Sequence, residues 1–471
     1  MSIQGSKAGR FDRTLVEGPV SRAVWRIGWP TLLQNMIGGL QGLIDHVMVG
    51  QYVGYTANAA IGVSLQIFIV IIVFMGSLFT GMGVLIARFV GAGETEKVDR
   101  VFHQALLACL VFGLGVVAPV GYFAAPALLN LVHAAPDVRE QALPFIRTLF
   151  LGNVGMMLFY MFSGALRAAG DAHTPLRLGA LMTALNVVLN ITLIAGLGPI
   201  PALGTGGAAL GTVIASCTAS GVGLWLVLSK RTVLHIPDRG RLTVDWQILR
   251  AIIKFGLPAG AQGIAMNVAG ILMLRFIGLL PTSAEAQAAY AVGYTELFSF
   301  ITWTSVGLMG ATAAVAGQAL GAGRPERAIE AAWTAARMGL IVAGVIGALF
   351  VLIPDQLLAV FGMNDARVVA IARVLLRFLA VSGLFVSVAL TYTGALQGTG
   401  DTRAPLCISL VSQILVPIGW CTAIQMTRGL EATDIWLAIV LGHVTRAVLS
   451  VAKFRQGKWR GIRVDVGPAA A

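Results

Sequence analysis

One acidic side chain, Asp45, lies deep in a long apolar segment, residues 24–48. Gln41 and Gln34 precede it by four and eleven residues, so all three share one face of a helix. An ionisable group in such a segment suggests function by default, because it can bind a proton or a cation. The alternative is that Asp45 stays neutral and only joins two helices. In both cases we expect this polar stripe to face a cavity or another helix and not lipid.

A second polar pair lies in the stretch LNVVLNITL, where Asn186 and Asn190 are four residues apart on one helix face. Amide oxygens beside a carboxylate suit a sodium ion, and amides also hydrogen-bond a protonated acid. Asn pairs occur between helices for packing as well. We therefore predict that Asp45, Asn186 and Asn190 couple transport to an ion together with Gln34 and Gln41. The ion, a proton or sodium, would bind at the first three residues, and we expect no cofactor.

A flexible, partly aromatic wall is predicted from the run GMMLFYMF. Methionine and aromatic side chains suit apolar cations, although ordinary helix packing uses the same residues. The candidate ligand-cavity residues from this run are Met156, Met157, Tyr160 and Met161.

The elements that must position these residues are membrane spans. The chain is 57% hydrophobic and 11% charged, far from soluble composition, and its mean hydropathy is +0.83. A span needs about 20 apolar residues. The sequence predicts an all-α polytopic membrane protein with twelve spans at residues 24–48, 58–87, 101–125, 141–166, 175–197, 206–229, 251–280, 287–318, 330–353, 368–396, 405–425 and 431–452.

The net charge of +12 indicates topology rather than nucleic-acid binding. Most of the 33 Lys and Arg residues fall in connections on the same side as the N-terminus. Basic residues concentrate on the cytoplasmic side of membrane proteins. We therefore expect a multi-pass protein of the plasma (inner) membrane with cytoplasmic N- and C-termini. The lipid bilayer is its expected environment, with no nucleic-acid partner, and we expect a monomer.

The chain contains an internal repeat. The string GALRAAGDAHTPL begins at Gly164 and returns as GALQGTGDTRAPL at Gly394, with seven of thirteen positions identical. The GAG strings at Gly91 and Gly321 repeat at the same offset along the chain. Duplication explains a shared offset, and six spans per copy predict two parallel repeats with a cavity between them. The predicted domains are an N-lobe at 1–229, a cytoplasmic linker at 230–250 and a C-lobe at 251–471.

A further acid, Glu296, lies about ten residues into the eighth predicted span, and Gln66 is its counterpart at the repeat offset. Glu296 could attract a cationic ligand or carry a proton, so both residues are candidates for the cavity. Alternatively, Glu296 could pair with Arg275 of the seventh span.

The repeated strings also predict tight turns between helices. In each long string a glycine closes one helix in the left-handed conformation, an aspartate caps the next helix, and a proline suits its first turn. These residues are Gly170, Asp171 and Pro175 in the first copy and Gly400, Asp401 and Pro405 in the second. The GAG glycines are expected to permit turns rather than to bind phosphate.

The twelve spans, the six-plus-six duplication, the two long strings after spans four and ten and the GAG strings after spans two and eight resemble the multidrug and toxic compound extrusion (MATE) family. The resemblance covers nearly the whole chain. It implies two six-helix lobes in a V shape and export of organic cations or amphiphiles against a proton or sodium gradient.

Trp29-Pro30, followed by DHVMVG from Asp45, resembles the family's first-helix pattern, whose acid couples ion to substrate. This carries over to Pro30 and Asp45, and Pro30 should bend the helix because it removes one hydrogen bond. The sodium-dependent branch has further acids in spans seven and ten, which GAQGIAMNVAG and GLFVSVALTY lack. The resemblance therefore favours the proton-coupled branch named after DNA-damage-inducible members.

Two other function classes are weighed against a transporter. A lipid-linked precursor flippase of the same superfamily should line its cavity with several basic residues for a phosphate, and almost none are predicted within spans. A membrane-embedded transferase needs a catalytic motif, and none of the usual hydrolase, metal or phosphate-binding patterns is present. The sequence therefore predicts a transporter and not an enzyme.

Overall fold

The computed structural model describes residues 11–196, 201–237, 244–363 and 365–467. Within these ranges the chain is helical and contains no strand. Long apolar segments form helices in a bilayer because a helix lets each backbone amide hydrogen-bond within its own segment. Each predicted span corresponds to one long helix: α1 Val20–Tyr52, α2 Tyr55–Ala92, α3 Thr95–Leu131, α4 Pro136–Ala168, α5 His173–Ala195, α6 Gly204–Leu228, α7 Trp246–Gly278, α8 Ser283–Gly321, α9 Pro325–Leu352, α10 Ala366–Thr399, α11 Arg403–Thr427 and α12 Ala432–Arg455.

Helices α2 to α12 are each long and apolar enough to cross a membrane, which makes eleven candidates in the described part of the chain. Helix α1 has 33 residues, which is also ample length for a span, and it carries the polar stripe of Gln34, Gln41 and Asp45. Its polar side chains must therefore be covered by neighbouring helices if it lies in the bilayer.

The helices pack as two groups of six. In the first group α2 packs on α4, α4 on α6, and α1 on α5; in the second, α8 packs on α10 and α10 on α12. The two groups meet through α1 against α8 and α2 against α7 and α8. Each half has apolar clusters of its own, and two further clusters combine residues of both halves.

The two halves approach each other closely where α2 crosses α8 at the repeated GAG strings. A methyl group on Gly91 would collide with the carbonyl oxygen of Gln318, and one on Gly321 would collide with that of Arg88. The two contacts are related by the repeat, because Gly91 corresponds to Gly321 and Arg88 corresponds to Gln318 at the repeat offset. Only glycine permits this backbone approach. We call the end of the molecule that carries this crossing, the start of α1 and the end of α4 the proximal end.

The predicted turns are confirmed. Gly170 and Gly400 both have φ of +99°, which favours glycine. The backbone N–H groups of Asp171 and Asp401 donate to the carbonyls of Leu166 and Leu396, closing α4 and α10 in the same way. The carboxylates of the two aspartates accept backbone N–H groups of the following helices, α5 and α11. Pro175 and Pro405 lie in the first turns of those helices.

Terminal segments tie the halves together at the proximal end. Leu15 is buried against α8 and α9, and Arg327 donates to its carbonyl at 2.9 Å. Val466 is buried among residues of α2 and α3. The segment between the halves packs there as well, since Arg100 pairs with Asp245 at 2.7 Å. Residues 238–243 of the predicted linker lie outside the described residues.

Candidate ion site and central cavity

Asp45 lies at the head of a hydrogen-bonded chain that crosses three helices. The Asn190 amide donates from Nδ2 to Asp45 Oδ1 at 2.7 Å and to Asn186 Oδ1 at 3.3 Å. Asn186 Nδ2 donates to Thr212 Oγ1 of α6 at 3.1 Å, and Thr212 donates to the Ala208 carbonyl. The structure thus brings the three predicted ion-site residues together and adds Thr212.

The two asparagines of this chain are fully buried, with 0% exposure. Asn190 Oδ1 is a buried acceptor without a hydrogen-bond partner, and leaving such an atom unpaired costs about 1–3 kcal/mol. A methyl group on Gly211 of α6 would collide with this oxygen. Gly211 therefore creates the space in which the Asn190 amide faces Asp45.

The rest of the α1 stripe also contacts the first half of the molecule, as expected. Gln41 accepts a hydrogen bond from Thr183 of α5 at 2.8 Å. Gln34 donates to Ser163 of α4 and accepts from Nη1 of Arg167, both at 3.4 Å. The stripe therefore faces α4 and α5, which explains how a helix with these polar residues fits among apolar neighbours.

A cavity of about 370 Å³ lies between the two halves. Its walls come from α1, α2 and α4 of the first half and α8 and α10 of the second, and its floor at the proximal end includes Arg167, Ala168 and Gly398. The volume is within the usual range for small-molecule sites. Asp45 and the two asparagines do not belong to the described lining, so the ion site and the cavity are separate. Helix α1 contributes to both, and Gln34 of its polar stripe contacts the cavity residue Arg167.

Three of the predicted cavity residues, Met156, Met157 and Tyr160, do line this space. Met161 differs from expectation: it is fully buried within the helix packing of the first half, because successive residues of a helix point in different directions. Gln66 is exposed on α2 and is not part of the described lining.

Glu296 also lies outside the described lining. It falls in a π-helical turn of α8, Ala291–Leu297, which rotates the helix faces, so the repeat offset to Gln66 does not preserve its direction. Among the described salt bridges none joins Glu296 to Arg275. The pairing that the sequence allowed is therefore not formed.

Sequence reasoning missed Arg167 and Gln397, which line the cavity from α4 and α10. The charge of Arg167 placed it in a predicted connection between spans. The available signal was that the two residues occupy the same position in the two copies of the repeated string. For this pair, the two parallel repeats bring both residues to the space between the halves.

One family profile matches the chain twice. The MatE profile matches residues 30–192 and, a second time, residues 258–421, together more than half of the chain. The chain belongs to the MatE family. The family predicted from the sequence motifs is confirmed, and the two matches begin at Pro30 and Pro258, which each follow a glycine by two positions in the strings GWP and GLP.

Relatives of this MatE chain cover nearly its full length. It is 25% identical over 446 residues to "Probable multidrug resistance protein NorM" of Thermotoga maritima, covering 93% of each chain. It is 24% identical over 448 residues to "Multidrug resistance protein MdtK" of Edwardsiella ictaluri, covering 92% of this chain and 95% of the relative.

A solved structure has the same fold as this MatE protein. The outward-facing conformation of a multidrug resistance MATE family transporter of the MOP superfamily matches with a TM-score of 0.88 at 22% identity, over 96% of this chain and 98% of that one. The predicted fold class is confirmed. These comparisons establish an integral multi-pass membrane transporter, and not an enzyme.

Proposed function

We propose that this MatE protein exports small amphiphilic molecules, organic cations included, by alternating access, and that proton binding at Asp45 drives the cycle. The observation that carries the proposal is the hydrogen-bonded chain from Asp45 to Thr212, which links an ionisable group to three helices of one half. The names of the relatives support multidrug export, and the central cavity is large enough for a drug-sized molecule.

The chain of amides supports a proton as the coupling ion. Asn190 turns an N–H donor toward Asp45, whereas a sodium ion prefers oxygen ligands. An ionised Asp45 accepts from Asn190 Nδ2. In the protonated state of this proposal, the Asn190 amide rotates so that its oxygen accepts from the Asp45 hydroxyl. The Asn186 amide rotates with it, donating from Nδ2 to Asn190 Oδ1 and accepting from the Thr212 hydroxyl.

Such a reversal gives the proton a mechanical effect. Before it, the unpaired Asn190 oxygen lies beside Gly211 of α6; after it, that oxygen accepts from Asp45. The protonation state of Asp45 thus changes which contacts join α1, α5 and α6. Because Gln34 of the same α1 face contacts Arg167 of the cavity, a shift of α1 alters the drug site as well, and binding of proton and drug are reciprocally coupled.

The domain arrangement is part of the proposal. We assign residues 1–229 and 251–471 to two lobes joined by 230–250, with both termini in the cytoplasm and a monomer as the working unit. The doubled family match and the symmetric glycine crossing support two equivalent halves. A flippase is less well supported, since a single basic residue, Arg167, is found in the described lining.

The test is export of a fluorescent organic cation from cells. Wild type is compared with Asp45→Asn at equal membrane abundance, and the proton and sodium gradients are collapsed separately. We expect Asp45→Asn to lose export and collapse of the proton gradient to stop the wild type. Glu296→Gln is the control, because it also neutralises an acid within a helix but lies away from both the chain and the cavity.

Two outcomes contradict the proposal. Wild-type export that stops only when the sodium gradient is collapsed makes sodium the coupling ion. An Asp45→Asn variant that exports as fast as wild type makes Asp45 a structural link between helices.

A further inference from the structure

The central cavity is mainly apolar, with one charged group in its described lining. Met75, Phe79 and Met309 are typical of its walls, and the polar groups besides Arg167 are neutral. Apolar walls accept many hydrophobic bodies, whereas a few placed polar groups decide orientation and specificity. The chemistry of Arg167 therefore decides which polar group of a ligand this cavity selects.

The guanidinium of Arg167 has no carboxylate partner among the described residues. Its one hydrogen bond is to Gln34 Oε1 at 3.4 Å, longer than the 2.7–3.2 Å of an ordinary N–H···O bond. The nearest acid along the chain is Asp171, and its carboxylate accepts from His173, Thr174 and the Thr174 hydroxyl. A guanidinium in apolar surroundings carries a large desolvation cost, which a paired anion offsets.

The second half of the molecule offers no competing charge in the described lining. Gln397, the repeat counterpart of Arg167, lines the same cavity and donates to Gln262 at 3.1 Å. The floor of the cavity thus presents a cation from α4 and a neutral, engaged amide from α10. An anionic group entering this space therefore binds at α4 and not at the midline.

We propose that the cavity binds amphiphiles that carry a carboxylate, zwitterions included, and that Arg167 pairs with the carboxylate while the methionine and phenylalanine walls hold the apolar body. Guanidinium and carboxylate form paired, charge-assisted hydrogen bonds, which replace the long contact to Gln34. The proposal deepens the proposed export function by naming its substrate class and rests on that function.

The experiment measures binding and not export. The full-length protein in detergent is titrated with a rhodamine that carries a free carboxyl group and, separately, with its ethyl ester, and binding is followed by fluorescence anisotropy. Wild type should bind the free acid about tenfold or more tightly than the ester, as expected for one hydrogen-bonded charge pair. Arg167→Met should reduce this ratio to about one, and Arg167→Lys should retain part of it.

The control variant is Arg275→Met, which removes one positive charge from an exposed position on α7 outside the cavity. Its ratio of acid to ester binding should equal that of wild type. Ester binding by Arg167→Met shows that the variant is folded. If Arg167→Met binds neither dye, the Lys variant decides: a remaining preference for the acid supports the proposal, and equal binding of both dyes overturns it.

Three further results overturn the assignment. If wild type binds the ester as tightly as the acid, binding does not depend on an anion at Arg167. If Arg167→Met keeps the wild-type ratio of acid to ester binding, the carboxylate binds at another residue. Displacement of the dye by phosphatidylglycerol, but not by phosphatidylcholine, in mixed micelles assigns the site to lipid phosphate. None of these binding measurements uses an ion gradient. If the protein prefers the acid over the ester but exports no substrate, only the export proposal is overturned.

Discussion

At the scale of residues, the geometry at Asp45 depends on a missing side chain. Gly211 leaves the space that the Asn190 oxygen occupies, and that position sets Nδ2 at 2.7 Å from Asp45. Gly211→Ala should therefore push the amide off Asp45, with an overpacking penalty of about 1–3 kcal/mol. We expect export to fall about tenfold at equal abundance, measured with the fluorescent cation.

Gly206, also on α6, is the matched control for this prediction, since a methyl group there meets nothing within 4 Å. Gly206→Ala should export like wild type. Equal export by Gly211→Ala and Gly206→Ala would show that the placement of the Asn190 amide does not matter for transport.

At the scale of elements, Pro30 sets the mechanical property of α1. It lies inside the helix and cannot donate a backbone hydrogen bond to the preceding turn, while the neighbouring Thr31 hydroxyl bonds the Ile27 carbonyl at 2.7 Å. The helix is therefore weakened between its proximal end and the stripe that carries Asp45. A helix that bends when Asp45 is protonated needs a weakened position of this kind.

The prediction is that Pro30→Ala stiffens α1. Because the added N–H restores one backbone bond, thermal stability in detergent should be unchanged or higher, while export should fall several-fold. Binding of the rhodamine acid should remain, since Pro30 does not belong to the described cavity lining. Normal export by Pro30→Ala would remove the bend from the mechanism.

At the scale of the whole molecule, the two halves are closed on each other at the proximal end by the α2 and α8 crossing. Gly91 and Gly321 occupy equivalent positions there, each against a carbonyl oxygen of the other helix. Gly91→Val and Gly321→Val should each force the helices apart and lower the free energy of unfolding by about 1–3 kcal/mol, observed as a lower midpoint of thermal unfolding.

Gly62→Val tests whether this loss is specific to the crossing, because Gly62 lies on α2 with nothing within 4 Å of an added methyl group. It should unfold like wild type. A control that is destabilised as much as Gly91→Val would attribute the effect to valine in α2 and not to the contact between the halves.

Much of the architecture could be predicted from the sequence because its signals are local. The twelve spans follow from apolar runs longer than a bilayer is thick, and each matches a helix of the structure. The repeat follows from identical residues at one offset. The shared face of Gln41 and Asp45, and that of Asn186 and Asn190, follows from helical geometry alone.

Tertiary structure alone decided which faces meet. Thr212 extends the Asp45 chain, Gly211 leaves the space for the Asn190 amide, and Arg167 lies in the cavity wall and not in a connection between spans. Met161, one residue beyond Tyr160, was turned away from that wall. The physical reason is that these contacts join residues far apart in the chain, and hydropathy and helical periodicity determine how a helix is oriented to apolar surroundings but not which neighbour it packs against.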